Sequence, residues 1–158
     1  MVTLALVLKP TSMPNRFNDQ NKPITEFQTD VLVVCPSCGQ KARASVDYEK
    51  EKARLLCPLC GYNKETTTDS TFLGIKGFWK AAAHQYFSAE LWLQLPFKNE
   101  VFWAYNEEHL AYLESYIGAT LREHKDRSHF TLLEKLPKFY HEAKNRTALL
   151  KLIEKLKQ

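Results

Sequence analysis

Four cysteines are the residues of this chain whose type and spacing most clearly imply chemistry. They stand in two units, Cys35-Pro36-Ser37-Cys38 and Cys57-Pro58-Leu59-Cys60, each followed by a glycine. Two such pairs at this separation supply the soft thiolates of a tetrahedral zinc site. Proline restricts the backbone between the ligands, and the glycine permits a turn with positive φ that directs backbone N–H groups toward sulfur. We therefore predict one structural Zn²⁺ held by Cys35, Cys38, Cys57 and Cys60.

Two other interpretations of these cysteines stay open, namely disulfides and iron in the same ligand set. The apolar run from Met1 ends at Leu8, lacks a basic start and is too short to span a bilayer. We therefore expect a cytoplasmic protein without membrane contact, in a reducing compartment that favours metal over disulfides. Neither pair has the βαβ context of a redox Cys-x-x-Cys motif. A closed four-cysteine site leaves no position for water, so the metal is not expected to catalyse.

The stretch covering residues 29–68 must fold so that both cysteine pairs meet. Residues 29–34 form a β-branched run that leads into the first pair, and residues 41–46 alternate polar with apolar side chains, as a half-exposed strand does. A polar turn then leads to residues 51–56, which run back into the second pair, and residues 62–68 suit a further strand. The pattern predicts a β-hairpin with a metal knuckle at each end of its paired strands.

These residues resemble a zinc ribbon, the small metal-bearing hairpin of transcription factors, RNA polymerase subunits and many ribosomal proteins. The resemblance covers residues 29–68 and implies the fold and the metal but no single function, because ribbons bind DNA, RNA or other proteins. The rest of the chain resembles small, largely uncharacterised bacterial zinc-ribbon proteins, in the stretches Leu91-Trp92-Leu93-Gln94, Trp103-Ala104-Tyr105-Asn106 with Glu108-His109-Leu110, and Lys144-Asn145-Arg146. Such proteins often place a further cysteine motif between the two aromatic strands. Here Phe97-Lys98-Asn99 occupies that turn, so a second metal centre is not expected.

The middle of the chain predicts a short helix followed by an aromatic hairpin. Helical spacing of Phe78, Ala82 and Tyr86 favours a short helix over residues 78–87. Residues 91–95 and 101–105 are typical of two strands joined by a turn at residues 96–100. Their aromatic side chains suit either a packed core or a sheet on which nucleic-acid bases stack, and we favour the core.

The C-terminal part predicts two or three helices. Asn106 is the predicted N-cap of a helix that ends near Lys125 and carries an apolar stripe of Leu110, Leu113, Ile117 and Leu121. A shorter helical piece covers residues 131–136, and Pro137 opens another turn. Asn145 is the predicted cap of a final helix, whose apolar face is Leu149, Leu152, Ile153 and Leu156.

Charge and titratable residues restrict the classes of function. The net charge of +4 is confined to residues 129–158, which carry seven Lys/Arg and three Asp/Glu, and a committed nucleic-acid binder usually has a broader basic surface. Strand alternation would place Lys41, Arg43, Lys52 and Arg54 on one face, which suits a phosphate or an acidic partner but also an ordinary solvated surface. The five histidines show no metal or catalytic spacing, so structural or surface roles are expected for them.

Together these features predict an α+β protein in three parts. Residues 1–28 form an arm and linker, residues 29–68 the zinc ribbon, and residues 69–158 a unit in which a small aromatic β-hairpin packs with two or three C-terminal helices. The predicted function is a zinc-binding, non-enzymatic module associated with DNA or RNA through Lys41, Arg43, Lys52 and Arg54. The alternative is a protein-interaction adaptor that docks through the ribbon or the last helix. No small-molecule substrate is evident.

Overall fold

Short strands and two α-helices build the part of the chain that the computed structural model describes, namely residues 15–78, 80–123 and 131–158. The strands are β1 (Arg16–Asn18), β2 (Asp30–Val34), β3 (Lys41–Asp47), β4 (Lys52–Leu56), β5 (Asn63–Thr67), β6 (Asp69–Phe72), β7 (Ile75–Phe78), β8 (Gln94–Phe97), β9 (Glu100–Trp103) and β10 (Leu121–Glu123). The α-helices are α1 (Glu107–Gly118) and α2 (Arg146–Leu156), and 3-10 turns cover Ile24–Glu26, Ala83–Phe87, Leu133–Lys135, Lys138–Tyr140 and Ala143–Asn145. The α+β class is confirmed at this level.

Strands β2 to β5 form one antiparallel sheet in sequence order, and this sheet carries the cysteines. Strands β3 and β4 alternate buried and exposed residues, so that they have one closed face and one open face. The closed face packs Val31 and Val33 of β2 with small or aliphatic residues of β3 and β4, namely Ala42, Ala44, Val46, Ala53 and Leu55. The small side chains leave room for a covering segment close to the sheet.

The covering segment is the 3-10 turn at Ala83–Phe87, and here the prediction of a helix over residues 78–87 is wrong. Phe78 ends strand β7, while Ala83 is fully buried against the sheet. The turn begins where the Gln85 side chain accepts a hydrogen bond from the Ala82 backbone N–H over 3.1 Å. It ends at Ser88, whose φ of 49° is left-handed. Fitting a compact turn to the sheet overrides the helical spacing of the apolar residues.

A second core lies on the other side of β2 and joins the sheet to the helices. Leu32 points away from Val31 and Val33 into this core, where it packs with residues of α1, α2 and the β8–β9 hairpin. The Leu32 backbone N–H also donates to the Tyr105 carbonyl over 2.7 Å, and its carbonyl accepts from the Trp92 N–H over 3.0 Å. Strand β2 is therefore covered on both faces.

The aromatic hairpin forms as predicted, although its strands are displaced along the chain. Strands β8 and β9 pair from Gln94↔Trp103 to Phe97↔Glu100, so the connecting turn is Lys98-Asn99 instead of residues 96–100. Lys98 has φ 54°, the left-handed conformation that a tight hairpin turn needs. Phe97 and Phe102 of the hairpin are 7% and 0% exposed and belong to the second core. These two aromatic side chains therefore pack in the core, as expected.

Helix α1 begins after the predicted cap but ends before the predicted C-terminus. The Asn106 side-chain oxygen accepts from the His109 backbone N–H over 2.9 Å, which confirms the cap. The prediction that the helix runs to near Lys125 is wrong, because it ends at Gly118 and Leu121 begins β10. Strand β10 pairs in parallel with β1, a long-range contact that outweighs the local helical stripe. Lys125 itself lies outside the described residues.

The C-terminal residues follow the predicted pattern except for the role of Asn145. The short helical piece appears as the 3-10 turn Leu133–Lys135, and Pro137 opens the turn Lys138–Tyr140. Leu149 and Ile153 of α2 are fully buried, as expected. Asn145 does not cap the helix with its side chain, because a preceding 3-10 turn already holds its backbone in the right-handed helical region. Its amide instead donates to the Phe139 carbonyl and accepts from Lys98.

Residues 15–28 pack against the rest of the molecule, which the prediction of a linker did not anticipate. Phe17 of β1 and Phe27 after the first 3-10 turn are both buried in the second core. Residues 1–14, which include the predicted apolar arm, lie outside the described residues. Within the described ranges, neither helix has the length and apolar character needed to cross a bilayer.

Candidate metal centre

The two cysteine pairs meet at one end of the four-stranded sheet. Cys35 follows β2 directly, and Cys57 follows β4 directly, so two strands deliver the first cysteine of each pair to the same place. Strands β2 and β4 flank β3, and their ends point the same way because each is antiparallel to it. The alternation of each strand continues into the first cysteine, so Cys35 and Cys57 are buried like Val33 and Leu55, whereas Cys38 and Cys60 lie beyond the turns and are exposed.

Each pair is closed by the same backbone turn. In the first, the Gly39 N–H donates to the Cys35 carbonyl over 2.9 Å, and the Cys35 N–H donates to the Gln40 carbonyl over 2.8 Å. In the second, the Gly61 N–H donates to the Cys57 carbonyl over 3.0 Å, and the Cys57 N–H donates to the Tyr62 carbonyl over 2.8 Å. Gly39 and Gly61 have φ of 72° and 75°, the left-handed conformation expected of them from the sequence.

The four sulfur atoms have the spacing of a tetrahedral metal site. All four lie within 4.8 Å of one another, and the Cys35–Cys60 and Cys38–Cys57 Sγ pairs are each 3.6 Å apart. Zn–S bonds of about 2.3 Å would set tetrahedral sulfurs about 3.8 Å apart, whereas a disulfide bond needs about 2 Å. The four thiols are free. These cysteines are therefore positioned to coordinate one metal ion.

Hydrogen bonds around the sulfurs show why a cation suits this site. Backbone N–H groups of Cys60 and, more weakly, Leu59 donate to the Cys57 sulfur and lower the pKa of that thiol to about 7. The Gln40 N–H also lowers the pKa of Cys38, but partial desolvation and the three neighbouring thiols outweigh it and raise the pKa to about 12. One sulfur thus ionises readily and its neighbour resists, because adjacent thiolates repel. A bound divalent cation would remove that repulsion.

The basic residues singled out in the sequence do share the open face of the sheet. Lys41, Arg43, Lys52 and Arg54 are all exposed there, with Arg43 opposite Leu56 and Lys52 opposite Asp47. No two of the four stand directly opposite each other, so the described register puts no like charges in direct cross-strand pairs.

Carboxylates occupy the same face and engage both arginines. Arg43 binds the Asp30 carboxylate over 2.5 Å and approaches Glu107 of helix α1 at 3.7 Å. Arg54 donates to the Asn63 side-chain oxygen over 2.9 Å and lies 3.8 Å from Glu65. Among the described residues, Lys41 and Lys52 make no ion pair. The face is therefore mixed in charge, and its free cations are the two lysines.

His109 is the most deeply buried of the three histidines that the structure describes, while His124 and His129 lie outside the described residues. His109 is 1% exposed, and burial lowers its pKa to about 4, so the imidazole is neutral near pH 7. The Tyr105 backbone N–H donates to His109 Nδ1 over 3.1 Å, while Nε2 has no partner among the described residues. The helical spacing of His109 from Tyr112, Leu113 and Tyr116 is the sequence signal that could have indicated this burial. Glu108, its neighbour in sequence, lies at the surface and pairs with Lys22.

Comparison with known proteins adds no assignment. No family model, no curated protein and no solved structure matches this chain. The function must therefore be argued from the geometry of the site.

Proposed function

We propose that the chain is a zinc-binding module in which Cys35, Cys38, Cys57 and Cys60 hold one structural Zn²⁺ in a ribbon-like β-hairpin. The observation that carries this proposal is the cluster of four sulfurs within 4.8 Å at the ends of two strands. Thiolate donors select zinc over hard cations, and iron in the same cage is the remaining competitor. With four protein ligands the ion keeps no open position, which supports a non-enzymatic role.

The metal proposal is tested by elemental analysis of the purified full chain. One zinc per chain, with titratable thiols appearing only after chelation, is the expected result. The metal proposal would be contradicted by iron in place of zinc, or by purified protein that contains no metal and whose circular dichroism does not change when zinc is added. Binding of Co²⁺ with the absorption of a tetrahedral tetrathiolate would support the ligand set independently.

For the role of the module, the face around the metal supports docking of a protein best. Leu56 and Leu59 flank Cys57 and are 41% and 71% exposed, so the metal would hold two apolar side chains in fixed positions. Both arginines on the face already pair with carboxylates, which would repel a phosphate backbone. Exposed apolar side chains with charged residues beside them fit the apolar centre and polar rim of a protein interface. The module would then act as a cytoplasmic adaptor.

Nucleic-acid binding remains the second candidate, and a specific observation favours it. Lys41 and Lys52 are exposed on the same face and have no carboxylate partner among the described residues. Surface ion pairs are worth only about 0–1 kcal/mol, so Arg43 and Arg54 could exchange their carboxylates for phosphates. Binding of this kind must weaken steeply with added salt, because it releases counterions from the nucleic acid.

Two double variants distinguish these roles in the zinc-loaded full chain. Leu56→Ser with Leu59→Ser should abolish capture of a stoichiometric protein partner after nuclease treatment, while Lys41→Ala with Lys52→Ala should leave it intact. Fluorescent single- and double-stranded oligonucleotides, titrated at two salt concentrations, test the second candidate. Salt-sensitive binding lost only in the lysine variant would establish nucleic acid as the ligand and refute the adaptor proposal.

A further inference from the structure

The hairpin of strands β6 and β7 ends in an apolar tip, formed by Leu73, Gly74 and Ile75. The strands pair as far as Phe72↔Ile75, so Leu73 and Gly74 make a two-residue turn. Leu73 is 86% exposed and Ile75 73%, more than any other large apolar side chain among the described residues. A side chain built on Gly74 would meet no atom within 4 Å. The tip therefore projects into open space.

Leucine is an unfavourable residue for this turn. Leu73 and Gly74 have φ of 51° and 79°, and a turn with positive φ at both positions favours Asn-Gly or Gly-Gly. In the left-handed region a Cβ crowds the following carbonyl oxygen, a cost that glycine avoids and asparagine tolerates. The β8–β9 hairpin has a polar residue, Lys98, at its left-handed turn position. Leu73 opposes both its backbone conformation and its exposure to water, and such an outlier favours a functional contact.

Positive charge borders the apolar tip. Lys76 is exposed directly after Ile75 and makes no ion pair with any residue that the structure describes. Lys80, beyond the end of β7, is exposed as well. Residues 70–89 contain no Asp or Glu, and Asp69 lies at the end of the hairpin opposite the tip. An approaching anionic surface would therefore meet cations and no carboxylate beside the tip.

The size and shape of the tip distinguish a lipid surface from a protein partner. A stable protein interface takes about 800 Å² from each side, which a turn of two residues and its neighbours cannot supply. A bilayer surface accepts a small convex projection, because apolar side chains enter the boundary of the acyl chains while a neighbouring lysine keeps its charge among the headgroups. The tip has the geometry and the charge for the lipid surface.

We propose that the β6–β7 tip inserts Leu73 and Ile75 into the surface of an anionic lipid bilayer, with Lys76 among the lipid phosphates. The contact is peripheral and reversible, because stable anchoring needs a larger apolar element or a second signal. The expectation of no membrane contact rested on the lack of a spanning segment, which a surface contact does not need. The proposal goes beyond the metal-bound docking module and does not depend on what docks there.

Vesicle co-sedimentation of the zinc-loaded full chain measures this contact. One set of vesicles contains phosphatidylcholine alone, and the other contains phosphatidylcholine mixed with phosphatidylserine. We expect the chain to bind the anionic vesicles more tightly, and added salt should weaken this binding. With nitrogen-15 labelling, the backbone NMR signals of Leu73, Gly74 and Ile75 should broaden first as anionic vesicles are added.

Three variants separate the parts of the proposal. Leu73→Asn suits the turn better than leucine, so the hairpin should stay folded while vesicle affinity falls about tenfold or more. Lys76→Gln should lower affinity for the anionic vesicles about fivefold and leave affinity for the neutral ones unchanged. Val101→Thr is the matched control, because Val101 is a half-exposed apolar residue on another hairpin, and it should bind like the unmodified chain.

The proposal would be overturned by equal binding to the two kinds of vesicle, or by unchanged affinity in Leu73→Asn. Absence of vesicle binding would overturn it as well. If the chain bound no vesicles but captured a stoichiometric protein that Leu73→Asn released, the tip would belong to a protein interface instead.

Discussion

Asn106 joins the metal-bearing sheet to the helical part, and its replacement by alanine should destabilise both. Its side-chain oxygen caps α1 through the His109 N–H at 2.9 Å, while its Nδ2 donates to the Asp30 carbonyl over 2.7 Å and the Phe27 carbonyl over 3.2 Å. The residue is 8% exposed, so water cannot fully replace these bonds. One side chain therefore satisfies groups in three separate segments.

The expected loss follows from these three bonds. Loss of the cap is worth about 1 kcal/mol. Each buried carbonyl left without a donor adds about 1 kcal/mol or more. Asn106→Ala should therefore lower the free energy of unfolding by about 3 kcal/mol, against a total of about 5–15 kcal/mol for an ordinary domain.

Urea unfolding of the zinc-loaded chain, followed by tryptophan fluorescence and circular dichroism, measures this loss at constant m-value. Asn106→Ser is the matched control, because serine caps a helix but cannot supply the two amide donations. It should recover only about 1 kcal/mol of the loss. The reasoning is refuted if serine restores full stability, since the Nδ2 bonds would then contribute nothing, or if alanine itself is neutral.

Three further predictions concern the metal, the buried imidazole and the core. Cys60→Ser should lose stoichiometric zinc, seen by elemental analysis, and should unfold the sheet at lower urea concentration; Leu59→Ala beside it should keep the metal. Burial holds the His109 pKa near 4 in the folded state, below its usual value of about 6.5. The unfolded chain therefore takes up the proton first, and stability falls as pH drops from about 6.5 to about 4. His109→Phe should remove up to about 3 kcal/mol of that pH dependence in urea titrations, and an unchanged slope would show that the imidazole is not shielded. Leu149→Ala, at a fully buried position of α2, should destabilise by about 2–5 kcal/mol, whereas a loss under 1 kcal/mol would mean that the two helices do not share a core.

Local signals predicted those features whose cause is local. The two cysteine turns follow from proline, glycine and cysteine within five residues, and both glycines have the positive φ that this expectation requires. The alternation of β3 and β4 placed Arg43 and Arg54 on the open face. The cap at Asn106 likewise depends only on the residues that immediately follow it.

Long-range contacts decided what the sequence left open or predicted wrongly. Helix α1 stops at Gly118 because Leu121 pairs with β1, roughly a hundred residues earlier in the chain, and no periodicity within the helix can show that partner. The expected helix near Tyr86 is a 3-10 turn because the segment packs closely against the sheet, where Ala83 is fully buried.

The sequence by itself determined that four sulfurs would be presented in two preformed turns, since backbone geometry over a few residues is enough to build each one. Only the tertiary structure decided what surrounds those turns. It set Glu107 of helix α1 near Arg43 and stacked Phe27 on His109, because both contacts depend on elements brought together from distant parts of the chain.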